Sequence, residues 1–578
     1  MSQANSRLGG SATRWRVAPR IDGREQELLG TDSLLTAQLL WNRSIRTATE
    51  AGAFLAPPSM SSFGDPFRML GMAAAVERLS HAIQDGTPVA IYGDYDVDGM
   101  AGAALLTECL ESLGASVLVY VPHRERDGYG LNEGAVRSLA SKGAGVVVTV
   151  DCGITADREV EVAAELGMDV VVTDHHTVPA RLPSAAAVLN PHQEQCDYPC
   201  KDLAGGGVAF QLARALLSRF LAGDEADARA LMLTDLAALS TVADVVPLIG
   251  ENRSLVALGL GLMRSGARTG LRALSEVAKR NLSSLSARDL GFSLIPRLNA
   301  AGRMGEAQGA LDLLLTQDEE EARILAAQLD STNGERRRVM QELAEGMVAE
   351  AAEFAGASAI VLDGPYPIGL AGLLAARLAD RWRVPSVVIQ RGETISRGSA
   401  RGPEGFDLMS ILNGASTSLL QYGGHPRAAG FALKSEDIGQ FRSAFERAAQ
   451  TQQPAITKER SQTVDAVLRL RSIGPALADL VERFEPSGEG NPPPTFVSRG
   501  VIVSQQVVGE GPVRLRVADG EATQRAIIFR PDQVPPNGTR LDLYYQVRRN
   551  LWQGDQQIDL VTEDDGLVSV GQDGDSAI

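Results

Sequence analysis

The sequence predicts an α/β protein in which two α/β units are joined by a long helix and followed by a small β-barrel. Three patterns support this prediction. Short runs rich in Val and Ile alternate with helix-length segments in the first half of the chain. A charged stretch without Pro follows, and from about residue 460 apolar and polar residues alternate between Pro and Gly.

Length and composition indicate a multidomain protein of a reducing compartment. With 578 residues, 44% of them hydrophobic, the chain has room for about four domains of roughly 150 residues. We see no apolar run long enough to span a membrane and no secretory signal, so we expect a cytoplasmic protein. Four cysteines are too few for a disulfide framework, and Cys196 and Cys200 in CDYPC are interpreted as part of a loop rather than a zinc site.

The net charge of −17 argues against a nucleic-acid-binding protein, because phosphate contacts need Lys and Arg. Two considerations weaken this argument. Part of the acidic charge would neutralise bound metal ions, and nucleic-acid binding needs only a local basic groove.

The first α/β unit is predicted over residues 65–309. Its five apolar runs are nearly continuous, which is typical of strands buried on both faces of a parallel sheet. The runs are residues 89–92, 117–121, 146–150, 170–173 and 186–189. The segments between them, such as 102–114 and 156–167, are long enough for crossover helices and end at Gly. This pattern predicts a doubly wound sheet.

The remaining boundaries follow changes of pattern. Residues 1–64 form a polar extension without a clear pattern, and 310–354 is predicted to be a connecting helix because its leucines recur at near-helical intervals. A second α/β unit covers 355–451, with strands at 359–362 and 386–390, and a polar linker follows. A β-rich domain is predicted at 460–565 and an acidic, disordered tail at 566–578.

Acidic residues follow the strands of the first unit at the points where the strands end. The carboxyl ends of parallel strands meet at one edge of a sheet, so we expect these side chains to come together there. They are Asp94, Asp96 and Asp98 in GDYDVDG, Asp151, and the triplet Asp174, His175 and His176. A further carboxylate, Asp235, lies in a predicted helix.

So many carboxylates at one edge would repel one another unless cations neutralise them. Oxygen ligands with one or two imidazoles suit Mn²⁺ or Mg²⁺ better than Zn²⁺. Two ions about 3.5–4 Å apart are a standard device for phosphodiester hydrolysis. Any one of these aspartates by itself would be interpreted as a helix N-cap or turn residue, and only their recurrence at successive strand ends predicts a metal centre.

The motifs resemble those of the DHH phosphoesterase superfamily, and in particular its exonucleases that degrade single-stranded DNA. The matching strings, in order, are GDYDVDGM, YVPHRERDGYGL, VVTDHH, LAGGGVAF, TVADVVPL, IPRLNAAGRM, GGHPRAAGF and FEPSGEGNPPPTF. The resemblance implies a DHH-type parallel-sheet catalytic domain, a long connecting helix, a DHH-associated α/β domain and a C-terminal β-barrel of the OB-fold type.

The resemblance also implies roles for individual residues. The expected metal ligands for two Mn²⁺ or Mg²⁺ ions are Asp96, Asp98, Asp151, His175 and Asp235. Asp94 either binds an ion as well or supports the ligands without binding an ion itself. Asp151 is expected to bridge the ions, and His176 to lie close to the scissile phosphate. Asp174 is expected to orient a histidine. Asp244 is a weaker candidate, with a helix end as the alternative interpretation.

Other matching positions are expected to hold the DNA strand. Arg124, Ser399 and Arg401 resemble a pocket for the 5′-phosphate, which suits the planar fork of arginine. Arg126 follows the same strand as Arg124. Further candidates lining the cleft are Arg297, Asn299, Arg303 and His425. The segment 423–430 around His425 is interpreted either as a phosphate-cradling turn or as a tight turn between a strand and a helix.

In the predicted OB-fold, a strand of DNA would be held by charge and base stacking. Candidate backbone contacts are Arg514, Arg516, Arg548 and Arg549, and candidate stacking residues are Trp552 and Tyr544. The alternative interpretation of a Tyr in a strand is a core residue.

Taken together, the sequence predicts a single-stranded-DNA-specific 5′→3′ exonuclease that releases 5′-mononucleotides in DNA recombination and repair. The expected partners are single-stranded DNA, a DNA helicase, single-strand-binding protein and recombination factors, and the chain is expected to be a monomer. Three alternatives stay open: a phosphodiesterase for short oligonucleotides or cyclic dinucleotides, a non-catalytic DNA-binding scaffold, and an inorganic pyrophosphatase.

Overall fold

The computed structural model describes residues 14–124, 126–128, 130–354, 356–452, 461–507, 512–529, 537–552, 555–562 and 567–569. The chain forms two compact units: Met1–Pro57 with Thr457–Ile578, and Pro58–Ile456. Among the described residues, no helix combines the length and the apolar character that crossing a bilayer would require.

The N-terminal region is more regular than the sequence pattern predicts. It contains strand β1 (Arg14–Val17) and helices α1 (Gly23–Leu28), α2 (Leu34–Asn42) and α3 (Ala48–Leu55). Asp22 with Glu25, and Thr47 with Glu50, form reciprocal capping boxes at the starts of α1 and α3. This D/T-x-x-E spacing is a helix-start signal that the sequence interpretation missed.

The first α/β domain lies in the second unit. Its elements are α4 (Met72–Asp85), β2 (Val89–Gly93), α5 (Val97–Ser112), β3 (Val117–Tyr120), α6 (Glu133–Ser141), β4 (Val146–Val150), α7 (Asp157–Glu165), β5 (Asp169–Thr173) and β6 (Ala187–Leu189). The helices that follow are α8 (Gly205–Phe220), α9 (Gly223–Leu231), α10 (Thr234–Ala243), α11 (Gly250–Gly266), α12 (Thr269–Val277), α13 (Ala287–Asp289), α14 (Ile295–Met304) and α15 (Gln308–Leu315). A π-helical turn, Leu290–Leu294, lies between α13 and α14.

The predicted parallel sheet is confirmed. Its strand order is β3-β2-β4-β5-β6, and all four pairings are parallel. In β2, Val89 and Ile91 belong to one apolar core while Ala90 and Tyr92 belong to another. Both faces are therefore covered, which explains why the strand is apolar throughout. Cys196 and Cys200 lie in the irregular segment between β6 and α8, as predicted.

The long helix and the second α/β domain follow. The elements are α16 (Glu319–Ala351), β7 (Ile360–Gly364), α17 (Ile368–Trp382), β8 (Ser386–Gln390), β9 (Ile395–Arg401), α18 (Leu408–Gly414), β10 (Gln421–His425), β11 (Ala428–Lys434) and α19 (Ile438–Thr451). The helix begins at Glu319 rather than at 310, because Asp318 caps it and α15 occupies the preceding residues. The mixed sheet has the order β10-β11-β9-β8-β7.

The segment 423–430 is neither a strand-to-helix turn nor an isolated loop. His425 pairs with Ala428 across an antiparallel hairpin of β10 and β11, so Pro426 and Arg427 form the turn. Gly424 has a φ of 146°, and a Cβ there would lie 2.4 Å from the carbonyl oxygen of Ala428. The glycine is therefore required by the close approach of the two strands.

The C-terminal β-domain belongs to the first unit. Its elements are β12 (Ser461–Val464), β13 (Ala466–Val467), α20 (Pro475–Glu482), β14 (Thr495–Val507), β15 (Val513–Ala518), β16 (Thr523–Ile528), β17 (Arg540–Trp552), β18 (Asp555–Thr562) and β19 (Leu567–Ser569). The strand order is β13-β14-β15-β16-β18-β17-β19, and β14 also pairs with β17. This circuit of pairings is the pattern expected of a small β-barrel.

Segments from both ends of the chain join this domain. Strand β1 pairs in parallel with β12, and Asn42 of α2 donates to the Asp465 carboxylate at 2.9 Å. Part of the predicted disordered tail is a strand, since β19 pairs with Leu541–Leu543 of β17. Residues 570–578 lie outside the described residues.

Candidate metal centre and arginine cluster

The residues that follow the parallel strands converge as predicted at the carboxyl edge of the first sheet. Three groups there have ligand atoms within 4.8 Å of one another and could each hold a metal ion. The groups are Asp151 with His175 and His176, Asp98 with His175 and Asp244, and Asp94 with Asp96 and Asp151. Asp151 and His175 are each shared between two groups, so the three groups form one continuous cluster.

Asp98 is held by the start of helix α8. The backbone N–H groups of Gly205 and Gly206 donate to its two carboxylate oxygens at 2.8 and 2.7 Å, and the Ser240 hydroxyl donates at 2.6 Å. A Cβ on Gly206 would lie 2.5 Å from Ser240 Oγ, and a Cβ on Gly205 would lie 2.6 Å from Asp151 Cβ. The first two glycines of the GGG run that opens α8 are therefore required by the acidic cluster, a signal that sequence reasoning left unassigned.

Asp94 and Asp96 lie on the turn between β2 and α5. Asp96 caps the helix, accepting from the N–H groups of Asp98 and Gly99 at 2.9 and 3.2 Å, and is at the same time a member of a metal-ligating group. Asp94 is 2% exposed, and its Oδ1 has no hydrogen-bond partner among the described residues. A buried, unsatisfied carboxylate oxygen is costly unless a cation completes it.

Asp174 orients the two histidines rather than facing the cluster. Its Oδ1 accepts from the His175 and His176 N–H groups at 2.8 and 3.1 Å and lies 2.7 Å from His176 Nδ1. Its Oδ2 accepts from the Ile154 N–H at 2.9 Å. His175 Nε2 lies 3.0 Å from Asp151 Oδ1. Asp151 itself has a left-handed φ of 61°, a conformation that Asp and Asn adopt more readily than other residues apart from Gly.

The prediction of Asp235 as a metal ligand needs correction. Its carboxylate accepts two hydrogen bonds from the Arg268 guanidinium, at 2.7 and 2.8 Å, and Arg268 also binds Glu108 at 2.5 Å. Asp235 is absent from the three groups, whereas Asp244, the weaker candidate, lies 3.7 Å from His175 Nδ1. Asp244 is therefore the carboxylate that α10 contributes to the cluster, and Asp235 stabilises the packing behind it.

The electrostatics of the cluster fit bound cations. Burial and then the Asp96 charge raise the pKa of Asp98 to about 6, and burial with Asp98 and Asp96 raises the pKa of Asp244 to about 8. The pKa of Asp151 is also raised well above its usual value, by burial and by the neighbouring aspartates. The oxygen-rich donor set with imidazoles is that of Mn²⁺ or Mg²⁺. The residues present therefore fit such ions.

A cluster of arginines lies beside the acidic turn. The Arg124 guanidinium lies 4.6 Å from the ring centroid of Tyr95, the residue between Asp94 and Asp96. Burial and then Arg124 lower the pKa values of Arg303 and Arg401 to about 10, so both stay charged at neutral pH. Arg401 donates to Ser399 Oγ at 3.0 Å. A Cβ on Gly372 of α17 would lie 2.7 Å from Arg401 Nη2, so this helix approaches the cluster closely.

The other predicted cleft residues divide between this site and its surroundings. Asn299 accepts from the Val97 N–H at 3.1 Å, and the His425 ring stacks on His176 with centroids 5.2 Å apart. Arg297 instead binds Asp330 of α16 at 2.8 Å. Arg126 pairs with the adjacent Asp127 at 3.4 Å, and its side chain is 69% exposed. The last two are not brought into the cluster.

In the C-terminal domain, Arg514 and Arg516 point outward while Val513, Leu515 and Val517 are buried, as the alternation predicts. Arg548 donates to Gln546 at 2.9 Å. Two further candidates are already engaged within this unit.

Those two candidates are Arg549, which pairs with Asp479 and Glu482, and Tyr544, whose ring stacks on Trp15 with centroids 4.6 Å apart. Trp552 ends β17, but its side chain lies outside the described residues. The structure therefore assigns no stacking residue here.

Two domain families match the chain. The DHH family, N-terminal domain, matches residues 88–243, and the RecJ OB domain matches residues 464–564. The first match contains the parallel sheet and all members of the acidic cluster except Asp244, which directly follows it, and together they define a DHH-family phosphoesterase domain. The second match coincides with the β-domain built from β12 to β18.

Similar proteins cover most of the chain. It is 35% identical to the single-stranded-DNA-specific exonuclease RecJ of Bacillus subtilis, over 96% of this chain and 71% of the relative. It is also 35% identical to RecJ of Escherichia coli, over 86% of this chain and 91% of the relative. The chain therefore belongs to the RecJ family.

Solved structures agree with this assignment. RecJ from Thermus thermophilus in complex with Mn²⁺ superimposes with a TM-score of 0.79 at 29% identity, covering 95% of this chain and 79% of that chain. An exonuclease RecJ bound to manganese gives a TM-score of 0.58 at 34% identity, covering 67% of this chain and 97% of that chain. Both likenesses extend the family relationship to the fold.

Proposed function

We propose that this protein is a metal-dependent exonuclease that degrades single-stranded DNA from the 5′ end and releases 5′-mononucleotides. The observation that carries this proposal is that the acidic cluster and the arginine cluster, which have opposite charges, meet at one short turn. Asp94 and Asp96 belong to the acidic cluster, and Tyr95 between them lies under Arg124 of the arginine cluster. A phosphate held by the arginines would bring the next phosphate of the strand to the acidic cluster.

Six side chains of this protein would hold two divalent ions. They are Asp94, Asp96, Asp98, Asp151, His175 and Asp244. Asp151 and His175 each belong to two groups, and Asp151 would be the one to serve both ions because its carboxylate has two ligand oxygens. When bound, such ions lower the pKa of a water molecule and neutralise charge on the phosphate under attack. The Asp98 side chain is kept in place by the Gly205, Gly206 and Ser240 donors.

The two histidines have different tasks. Burial lowers the pKa of His175 to about 3, so its ring is neutral and suited to be a metal ligand. Although burial lowers the pKa of His176, the hydrogen bond and charge of Asp174 outweigh it and raise that pKa to about 9. His176 is therefore held through Nδ1 and presents Nε2 on the other side of its ring, as a donor to a phosphoryl oxygen.

The arginine cluster would recognise the 5′ end of the DNA strand. Arg124, Arg303 and Arg401 would grip the terminal 5′-phosphate, because guanidinium groups bind phosphate through two parallel hydrogen bonds. Three buried or half-buried cations that repel one another leave a strong local field for an anion. An anchor for the 5′-terminal phosphate beside the acidic cluster predicts mononucleotide release and the 5′→3′ direction.

The domain composition of the chain favours a long DNA strand as the substrate over the alternatives. A phosphodiesterase for dinucleotides or a pyrophosphatase would have no use for the RecJ OB domain matched at residues 464–564. A non-catalytic scaffold would be expected to lack ligand carboxylates, whereas the acidic cluster here is complete in three groups. A helicase, single-strand-binding protein, recombination factors, a role in recombination and repair, and a monomeric state remain predictions.

The proposal is tested by digesting a 5′-phosphorylated, 3′-labelled single-stranded oligonucleotide in Mn²⁺. A ladder that shortens from the 5′ end, with mononucleotide product, is the expected result. The matched control is Asp151→Asn, because Asn tolerates the left-handed φ of 61° while removing the charge. Cleavage confined to di- to tetranucleotides, or binding without cleavage by the unaltered protein, would overturn the proposal.

A further inference from the structure

An exposed aromatic side chain stands on the same helix that lines the cluster. Phe292 is 75% exposed, more than any other large apolar side chain in the described part of the chain. It lies in the π-helical turn Leu290–Leu294, whose other apolar members, Leu290 and Leu294, are fully buried. Single π-turns inside helices occur frequently at functional sites, because the wider turn redirects one side chain.

The π-turn leads directly into helix α14, which contacts both clusters. Asn299 and Arg303 are four residues apart, about one turn, and so lie near one face of α14. Asn299 binds the N–H of Val97, between Asp96 and Asp98, and Arg303 belongs to the arginine cluster. The helix therefore runs from the arginines, past the acidic turn, to the π-turn that carries the exposed ring.

The distances between these residues along the helix are on the scale of an extended DNA strand. At about 1.5 Å per residue, Arg303 and Asn299 are about 6 Å apart along the helix, and Phe292 lies about 10 Å beyond Asn299. The turn also packs on the end of α10 that carries Asp244, since a Cβ on Gly291 would lie 3.6 Å from Val242 Cγ1. Along this helix, the π-turn with the ring thus lies beyond the contact with the acidic turn, at the end opposite Arg303.

The surroundings of the ring favour a nucleic acid over an apolar protein surface. The Arg288 guanidinium lies 4.9 Å from the Phe292 ring centroid. A cation beside an exposed ring is the combination that binds single strands, with the base stacked on the ring and the phosphate near the charge. We propose that Phe292 is a base-stacking platform for the nucleotides that lie on the 3′ side of the scissile phosphate.

This inference rests on the proposed function and deepens it. The arginines would hold the 5′ end, and Phe292 would position the strand that remains after each cleavage. Phe292 is a positioning residue, so its loss should weaken binding of long strands without altering the chemical step. A dinucleotide, which ends near the acidic cluster, should not reach the ring.

The test measures binding by full-length protein with Asp151→Asn, using oligodeoxynucleotides that carry 2-aminopurine at successive positions from a 5′-phosphate. Stacking on an aromatic ring quenches the fluorescence of this base. We expect quenching to change at one position on the 3′ side of the second phosphate when Phe292→Ala is added, with a roughly 5- to 150-fold weaker Kd, the range of base–aromatic stacking. Phe292→Trp should preserve both signals.

Two further variants keep the result interpretable. Phe67→Ala removes another exposed ring, 45% exposed and outside the site, and should change neither signal. Phe292→Leu keeps apolar bulk without a ring, and full retention of binding by it would overturn stacking, as would an unchanged Kd and an unchanged quenching profile in Phe292→Ala.

In the cleavage-competent background, Phe292→Ala should raise KM for long strands and leave kcat, and dinucleotide cleavage, unchanged. If the unaltered protein cleaves no strand from the 5′ end, the proposed function fails. If it does so but Phe292→Ala matches it in KM and binding, only the platform fails. Loss of binding to a partner protein with unchanged binding of DNA would assign the ring to protein docking and also overturn the proposal.

Discussion

Replacing each of the two aspartates of α10 with Asn should have opposite effects on stability. Burial and the charges of Asp98 and Asp96 raise the pKa of Asp244 to about 8, so at neutral pH the metal-free folded protein must keep a proton on this carboxyl that the unfolded chain releases. Asp235 instead satisfies the Arg268 guanidinium through two hydrogen bonds, at 2.7 and 2.8 Å. Asn has the same shape as Asp, so each change removes mainly an ionisable group.

The magnitudes follow from these contacts. Asp235→Asn leaves the buried Arg268 with Glu108 as a carboxylate partner and the Leu314 carbonyl as a further acceptor, which should cost about 3 kcal/mol, the low end for breaking a buried ion pair. Asp244→Asn removes the cost of protonating this carboxyl on folding, but the side chain is 33% exposed, so solvent screening limits the gain in metal-free protein to about 1 kcal/mol. For a domain of this size, 1 kcal/mol corresponds to roughly 3 °C in Tm.

Thermal unfolding in EDTA and in Mn²⁺ measures both effects. Ions at about 100 times their Kd contribute about 2.7 kcal/mol, so the unaltered protein should gain roughly 5–10 °C in Mn²⁺. Asp235→Asn should lower Tm in EDTA and keep this gain, whereas Asp244→Asn should raise Tm in EDTA and lose most of it. The reverse pattern would refute the assignment of Asp244 to the metal centre.

Three further predictions concern the same site. Gly206→Ala should destabilise the fold by about 2 kcal/mol or more and abolish activity, because its Cβ would lie 2.5 Å from Ser240 Oγ. The control is Gly207→Ala, whose Cβ would lie 3.4 Å from Leu203. Equal Tm values for the two variants would contradict the reasoning. Arg401→Ala should reduce the preference for 5′-phosphorylated over 5′-hydroxyl strands by roughly 10- to 100-fold in kcat/KM, because a hydrogen bond to a charged group contributes about 1.5–3 kcal/mol. An unchanged preference would exclude Arg401 from the pocket for the 5′-phosphate. The third concerns pH. The folded pKa values of Asp98 and Asp244 are raised to about 6 and about 8, so these carboxyls bind their protons more tightly in the folded metal-free protein than in the unfolded chain. The folded pKa of His175 is lowered to about 3, so below about pH 6.5 this imidazole has the opposite effect on stability. Above about pH 6.5 His175 is neutral in both states, and stability in EDTA should fall as pH rises from about 6.5 to about 8, by an amount on the order of 2 kcal/mol, because the Asp244 carboxyl loses its proton there. Mn²⁺ should oppose the trend, since ligands bind metal deprotonated. A Tm in EDTA that rises over this pH window would contradict the prediction.

Much of the sheet and of the cluster was predictable because strand signals are local. A strand covered on both faces must be apolar at every position, so β2, β4 and β5 could be recognised within one residue of their ends. Parallel pairing then brings every strand's following residue to one edge, whatever the loops do. The N-terminal helices were missed because their apolar pattern is weak and their signal lies in two capping boxes.

The sequence by itself determined that Asp94, Asp96, Asp98, Asp151 and the histidines would meet, because the register of parallel strands leaves them no alternative. It did not determine which aspartate of α10 would join them. Asp235 and Asp244 are nine residues apart, and at about 100° per residue they project from opposite sides of the helix. Either face could have turned to the cleft. Only the tertiary packing, which places Arg268 and Glu108 behind Asp235 and His175 beside Asp244, decided between them.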